Sequence, residues 1–127
     1  MKLSEEAIGR IWIGVGWFGV ALLIYLSLTP TPPEIPIEQG DKIGHIAAYG
    51  VLMLWWAQLY LLPRRAWIAS GLLALGVALE FVQGWTGYRS FEVADMGADL
   101  AGILLGWILA PPRLPNWFAL SKRRLVR

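Results

Sequence analysis

From Ile11 to Leu28 the chain runs without a charged side chain, and Thr29, Pro30, Thr31, Pro32 and Pro33 then bring it to a stop. A run of that length crosses the ~30 Å hydrocarbon core of a bilayer as a helix, where every backbone N–H and C=O must be paired within the segment, and consecutive prolines cannot continue it. Three more apolar stretches follow: Ile43 to about Leu62, closed by Pro63, Arg64 and Arg65; Ala66 to about Trp85; and Val93 to Ala110, closed by Pro111 and Pro112. The pattern predicts an all-α fold, an integral membrane bundle of four transmembrane helices over about 11–28, 43–62, 66–85 and 93–110. Composition agrees: 57% apolar residues with eight Trp and only 16% charged residues are far from a soluble domain, where about 25% are charged. Four spans use most of the 127 residues, so a single domain over 1–127 is expected, with no second soluble one.

Basic residues orient the spans. Lys2, Arg10, Arg64, Arg65, Arg113, Lys122, Arg123, Arg124 and Arg127 fall on one side, and only Lys42 and Arg89 on the other. The crowded side is expected to be cytoplasmic, which places both termini inside and the loop from Thr29 to Gly40 outside, in a multi-pass protein of the cytoplasmic membrane. The first span has basic residues before an apolar core, as a signal peptide does, but its proline-rich exit offers no small-residue cleavage site, so an uncleaved anchor is expected. The loop, carrying Glu34 and Glu38, is expected to be extended and free of catalysis. The absence of Cys excludes disulfides, thiolate nucleophiles and Cys-based metal sites. Trp67, Trp85 and Trp117 suit interfacial belts, whereas Trp55 and Trp56 fall mid-span. The basic tail from Lys122 to Arg127, beside Trp117 and Phe118, suits anionic lipid headgroups at about 1 kcal/mol per charge and is too short for nucleic acid. No glycine-rich phosphate loop or internal repeat is present, and no cofactor is implied.

The remaining polar residues gather at the outer side. Asp41, Lys42 and His45 open the second span, Glu80 and Gln83 close the third, Arg89 and Glu92 follow in a loop, and Asp95 and Asp99 open the fourth. Helical spacing puts Asp41, His45 and Tyr49 on one face, Asp95, Asp99, Gly102 and Gly106 on another, and Gly76, Glu80 and Gln83 on a third. Small residues let membrane helices approach closely, and ionisable groups are costly against lipid, so these faces should point inward and form one polar pocket open to the outside. Its residues are Asp41, Lys42, His45, Tyr49, Glu80, Gln83, Arg89, Asp95 and Asp99. Three uses stay open: a buried network that fixes helix register, a pocket for an anionic headgroup or glycan with Arg89 and Lys42 as anion contacts, or a catalytic or metal site. His45, the only histidine, suits a general base or proton switch if a carboxylate orients its second nitrogen. A metal would need His45 with two or three of Asp41, Glu80, Asp95 and Asp99, a set without diagnostic spacing, and none is assigned. Ser90 lacks the glycines of a nucleophile elbow.

In this order, a DKxGHxxxYGxL segment (Asp41 to Leu52), the ExxQ of Glu80 and Gln83, then Arg89, Asp95 and a small-residue span resemble the VanZ-like family of small bacterial membrane proteins over about residues 25–110. One departure is Asp99, a position where that family more often has Asn, which leaves an extra ionisable carboxyl here. The family takes its name from a protein associated with low-level resistance to the glycopeptide antibiotic teicoplanin, and the resemblance implies a cell-envelope role without a defined reaction. The leading expectation is a protein whose outward pocket binds or modulates a lipid-linked or glycan ligand. The alternative is a small intramembrane enzyme acting on an envelope lipid, with His45 and a carboxylate as acid and base and Arg89 holding a phosphate. A proton-coupled transporter would require a homo-oligomer to complete a path.

Overall fold

The computed structural model describes residues 2–126; Arg127, counted above among the basic residues, lies outside them. Among the described residues the elements are five helices, α1 (Glu5–Leu28), α2 (Gly40–Ala57), α3 (Arg64–Thr86), α4 (Val93–Leu109) and α5 (Trp117–Leu125), and no strand. The all-α expectation holds. Ser4 starts α1 by accepting the Ala7 N–H on its hydroxyl at 3.0 Å, and Glu5 and Glu6 complement the helix dipole in the first turn. Extended backbone at Thr29, immediately before Pro30, ends it.

Register shows how the helices run. Lys42 meets Asp95, His45 meets Asp99 and Gly50 meets Gly102, so α2 and α4 advance together as a parallel pair. α1 and α3 run opposite to them: Trp12 stacks on Trp55 at 4.0 Å while Gly19 faces Leu52, and Arg65 lies by Ala57 while Gly76 lies by Tyr49. The α2–α4 contact is the tightest, because a Cβ on Gly102 or Gly106 would strike the carbonyls of Ile46 and Gly50. Leu23, Tyr49, Leu52, Met53, Leu72 and Ile103 fill the centre.

The structure revises several expectations. α2 covers Gly40–Ala57 instead of 43–62, because the chain leaves the helix to offer its carbonyls to Arg65, whose guanidinium donates to Ala57 O (2.8 Å), Tyr60 O (2.7 Å) and Pro111 O (2.8 Å). Trp55 and Trp56 therefore sit in the last turn of α2, not mid-span. Part of the basic tail is the helix α5, capped where the Asn116 side chain accepts the Ala119 N–H at 2.9 Å and laid on α1 by the Trp12 indole donating to Ser121 Oγ at 3.1 Å. Two helices, Glu5–Leu28 and Arg64–Thr86, are long and apolar enough to cross a membrane, so two of the four expected spans meet that measure. α2 gives its first turn to Asp41 and Lys42, and α4 is 17 residues long with two aspartates in its first half. The two apolar helices are not enclosed by the rest of the chain: 11% and 28% of their apolar windows are buried, and Trp17, Phe18, Phe81 and Trp85 are exposed.

Candidate functional site

The loop between α1 and α2 does not extend away from the bundle. Ile37 N–H donates to Ile35 O (2.8 Å), Gly40 N–H donates to Ile37 O (3.0 Å), and Gln39 adopts a left-handed φ of 60°, which curls the loop back over the start of α2. Gly40 is needed there, since a Cβ would run into the Ile35 carbonyl. The folded loop closes one side of a cleft of about 630 Å³. Leu23 and Leu26 of α1 with Pro32, Pro33, Ile35 and Ile37 of the loop make a mainly apolar wall that also carries Glu34, and Asp41, His45, Tyr49, Gln83, Arg89, Glu92 and Asp95 lie on the polar side.

Behind this polar side the ionisable groups form one network between α2 and α4. Lys42 Nζ donates to Asp41 Oδ2 (2.6 Å), to Asp95 Oδ1 (2.5 Å) and to Glu92. His45 Nδ1 lies 2.6 Å from Asp99 Oδ1, and its Nε2 lies 3.8 Å from Asp95 Oδ2. Glu80 reaches across from α3 and accepts the Glu92 N–H at 2.7 Å. Asp99 and the Tyr49 hydroxyl press against Gly76, where a Cβ would stand 2.6 Å from Asp99 Oδ2 and 3.1 Å from the Tyr49 oxygen. Glu80, Asp99 and Tyr49 are almost wholly buried, and Asp95 nearly so.

Two of the expected pocket residues line the cleft and also hold the end of α1. A helix leaves its last four carbonyls without partners, and α1 ends beside the α3–α4 loop. Gln83 donates to Ser27 O (2.7 Å), the Tyr88 hydroxyl to Leu28 O (2.7 Å), and Arg89 to Thr29 O (3.0 Å) and, at a longer 3.4 Å, to Leu26 O. Gln83 and Arg89 thus border the cleft while capping α1, and the guanidinium suits the negative end of the helix dipole. Asp99 pairs with His45.

At the rim, the hydrogen bond from Lys42 holds the Asp41 carboxyl below its ordinary range, against a weaker opposing effect of burial. Burial works against a charged Lys42, and the hydrogen bonds to Asp41, Asp95 and Glu92 outweigh it, so its ammonium stays protonated above the usual lysine range. Asp41, Glu92 and Asp95 are near enough to one another to hold a metal ion, without His45. They do not fit a resident metal, because the Lys42 ammonium already lies among them as their cation. Glu92 is the site residue that sequence reasoning left outside the pocket. Its position three residues before Asp95, one helical turn away, was the available signal.

The sequence pattern of the VanZ/LLP1 family matches residues 5–117. An uncharacterized protein of Schizosaccharomyces pombe is 31% identical over 94 residues, which make up 71% of this chain and 58% of that protein. This chain therefore spans less than two thirds of that relative, and a yeast protein among its relatives means that likeness is not confined to bacteria. No solved structure matches.

Proposed function

Because the chain belongs to the VanZ/LLP1 family, we propose that it is a multi-pass membrane protein of the cell envelope whose outward cleft binds or modulates a lipid-linked or glycan ligand. In this reading α1 to α4 all cross the bilayer, with both termini in the cytoplasm. The outward apolar surfaces of α1 and α3 support it, as does the excess of basic residues at the end where Arg64 and Lys122 lie. α2 and α4 tolerate charged first turns because those turns face each other and the cleft instead of lipid.

The cleft itself carries the proposal: one wall is mainly apolar and the other is lined by ionisable and hydrogen-bonding groups. A ligand with a hydrocarbon part and a polar head satisfies both walls, whereas a free sugar leaves the apolar wall against water. The test is native mass spectrometry of protein purified from its membrane. A retained amphiphile that disappears in Ala48→Phe, which fills the cleft, supports the reading, and a ligand-free spectrum for the wild type in mild detergent counts against it. Single cysteines at Glu34 and Arg64 should label from opposite sides of the membrane; labelling of Arg64→Cys from outside intact cells overturns the orientation. The link to glycopeptide resistance rests on the family alone and is tested by teicoplanin susceptibility with and without the chain.

One observation favours the enzymatic alternative. Asp99 orients the His45 ring, and His45 borders the cleft, which is the arrangement of a carboxylate-supported acid–base group. Turnover of an envelope lipid by the pure protein, abolished in His45→Ala while the lipid is still bound, would establish it.

A further inference from the structure

We infer that the cleft grips its ligand by a phosphodiester headgroup, whose single negative charge sits on the open edge of the Arg89 guanidinium while the hydrocarbon part lies along Leu23, Leu26 and Ile35. The inference rests on the cleft reading above and names its ligand class. Arg89 borders the cleft, and only its Nη1 is bound, to Thr29 O at 3.0 Å and to Leu26 O at 3.4 Å. Among the described residues nothing accepts a hydrogen bond from Nε or Nη2. Those two nitrogens form the planar two-donor edge that matches two oxygens of a phosphate, and the Nη1 contacts orient it before a ligand arrives. Capping α1 takes one nitrogen, which a lysine would supply as well, so the cap leaves the other edge of the guanidinium without a use. The next residue, Ser90, is exposed on the same lining, and its hydroxyl makes only a 3.4 Å contact with Glu92 Oε1, so it can turn to a third phosphate oxygen.

The carboxylates nearby set the charge that the headgroup can carry. Lys42 is spent on Asp41, Glu92 and Asp95, and one ammonium against three carboxylates, with Glu34 on the loop, leaves the polar side net negative. Arg89 matches one negative charge on the ligand; a second would face Asp41 and Glu92 with no cation left for it. A phosphomonoester, whose second ionisation lies at about pH 6, is largely doubly charged at pH 7, whereas a diester keeps one charge. A diester also joins a hydrocarbon part to a second, polar substituent, which suits a cleft with one mainly apolar and one polar wall.

The test uses the full chain in micelles of a polyoxyethylene detergent, which carries neither phosphate nor sugar. The probes, all at pH 7, are n-octyl methyl phosphate, n-octyl phosphate, n-octyl glucoside and n-octylamine. Octyl methyl phosphate should raise the melting temperature saturably and more than the other three, and dimethyl phosphate, the same headgroup without the chain, should not raise it at equal concentration. Arg89→Lys keeps a charge and a donor for the α1 carbonyls but loses the two-donor edge, so it should weaken the diester by about tenfold. Tyr88→Phe opens the same cap at Leu28 O, and should lower melting while leaving diester affinity unchanged. Unchanged affinity in Arg89→Lys, or an equal loss in Tyr88→Phe, overturns the contact. Should Arg89→Lys fail to fold, Ser90→Ala on the exposed rim decides: a loss of about threefold supports the contact, and unchanged affinity overturns it. Stabilisation by octyl phosphate, octyl glucoside or octylamine equal to or greater than that by the diester, and abolished by Ala48→Phe, overturns the phosphodiester and leaves the cleft reading standing. Diester binding that survives Ala48→Phe is partition into the micelle, and dimethyl phosphate as effective as the octyl diester removes the hydrocarbon part; either overturns the assignment. Binding of none of the probes overturns both.

Discussion

Arg65, which is buried, and Lys42, which is partly buried, are cations at opposite ends of the same helix pair, and they are neutralised in opposite ways. Arg65 donates to three main-chain carbonyls where α2 and α4 end, whereas Lys42 donates to three carboxylates where α2 and α4 begin. The parallel run of α2 and α4 accounts for the signs. It puts two negative dipole ends together beside the arginine and two positive dipole ends together beside Asp41 and Asp95. The contrast separates scaffold from site. Carbonyls neither titrate nor change partners, so the Arg65 end is a clamp, while the Lys42 end is built of exchangeable side chains next to a cleft.

The sharpest way to break the comparison is at the clamp. Arg65→Met strands the carbonyls of Ala57, Tyr60 and Pro111 in a buried place and should cost about 3 kcal/mol or more, read as a large fall in melting temperature in detergent. Arg65→Lys should recover only part of the loss, because a point ammonium cannot reproduce the planar fork. Near-normal melting of Arg65→Met would remove the clamp from the account.

Next comes the seam joining the two ends. Gly102→Val drives a side chain into the Ile46 carbonyl and should cost about 2 kcal/mol by overpacking. It should also disturb the outer network, since the same register brings His45 to Asp99 and Lys42 to Asp95. Unchanged melting of Gly102→Val would mean that α2 and α4 pack less closely than described.

Smaller effects are expected at the outer end. His45→Ala, Glu80→Gln and Asp99→Asn should each cost about 1 kcal/mol or less, because water from the cleft or a retained amide takes the place of the lost partner. Ligand retention should nevertheless fall for His45→Ala and Glu80→Gln. If all three variants melted as poorly as Arg65→Met, the outer network would be a second clamp and not a site.

Much of this contrast is written locally. Apolar runs and prolines located α1, α3 and α4, and the spacing of Gly102 and Gly106 with Asp95 and Asp99 placed small and acidic residues on one face of α4, where the structure sets them against α2. What stayed hidden depends on partners distant in sequence. Nothing near residue 57 says that α2 must stop there, because the reason is a guanidinium arriving from α3. Arg64 and Arg65 look alike in the chain, yet one is exposed and the other buried. Arg89 and Lys42 were equivalent as cations until the end of α1 and the carboxylates claimed them separately. The nine residues of α5 are too few to form a stable helix alone and depend on docking against α1.

The smallest expected effect sharpens the comparison through pH. Asp41 is the exposed member of the Lys42 group, with its side chain 60% accessible, so Asp41→Asn should cost well under ~1 kcal/mol. Its carboxyl is held below the ordinary value of about 4, so its contribution is present above that value and is lost as pH falls through the lower folded value. Lys42 has the opposite sign: its ammonium is held above the ordinary lysine range, so its contribution is complete below that range and lost only at strongly alkaline pH. The melting difference between wild type and Asp41→Asn should therefore be flat between about pH 5 and 9 and close towards pH 2. The deficit of Arg65→Met should not depend on pH over the same acid range, because no acceptor of Arg65 titrates. A difference for Asp41→Asn that persists undiminished at pH 2 would show that the carboxylate does not act through its charge, and the electrostatic account of the outer end would lose its simplest support.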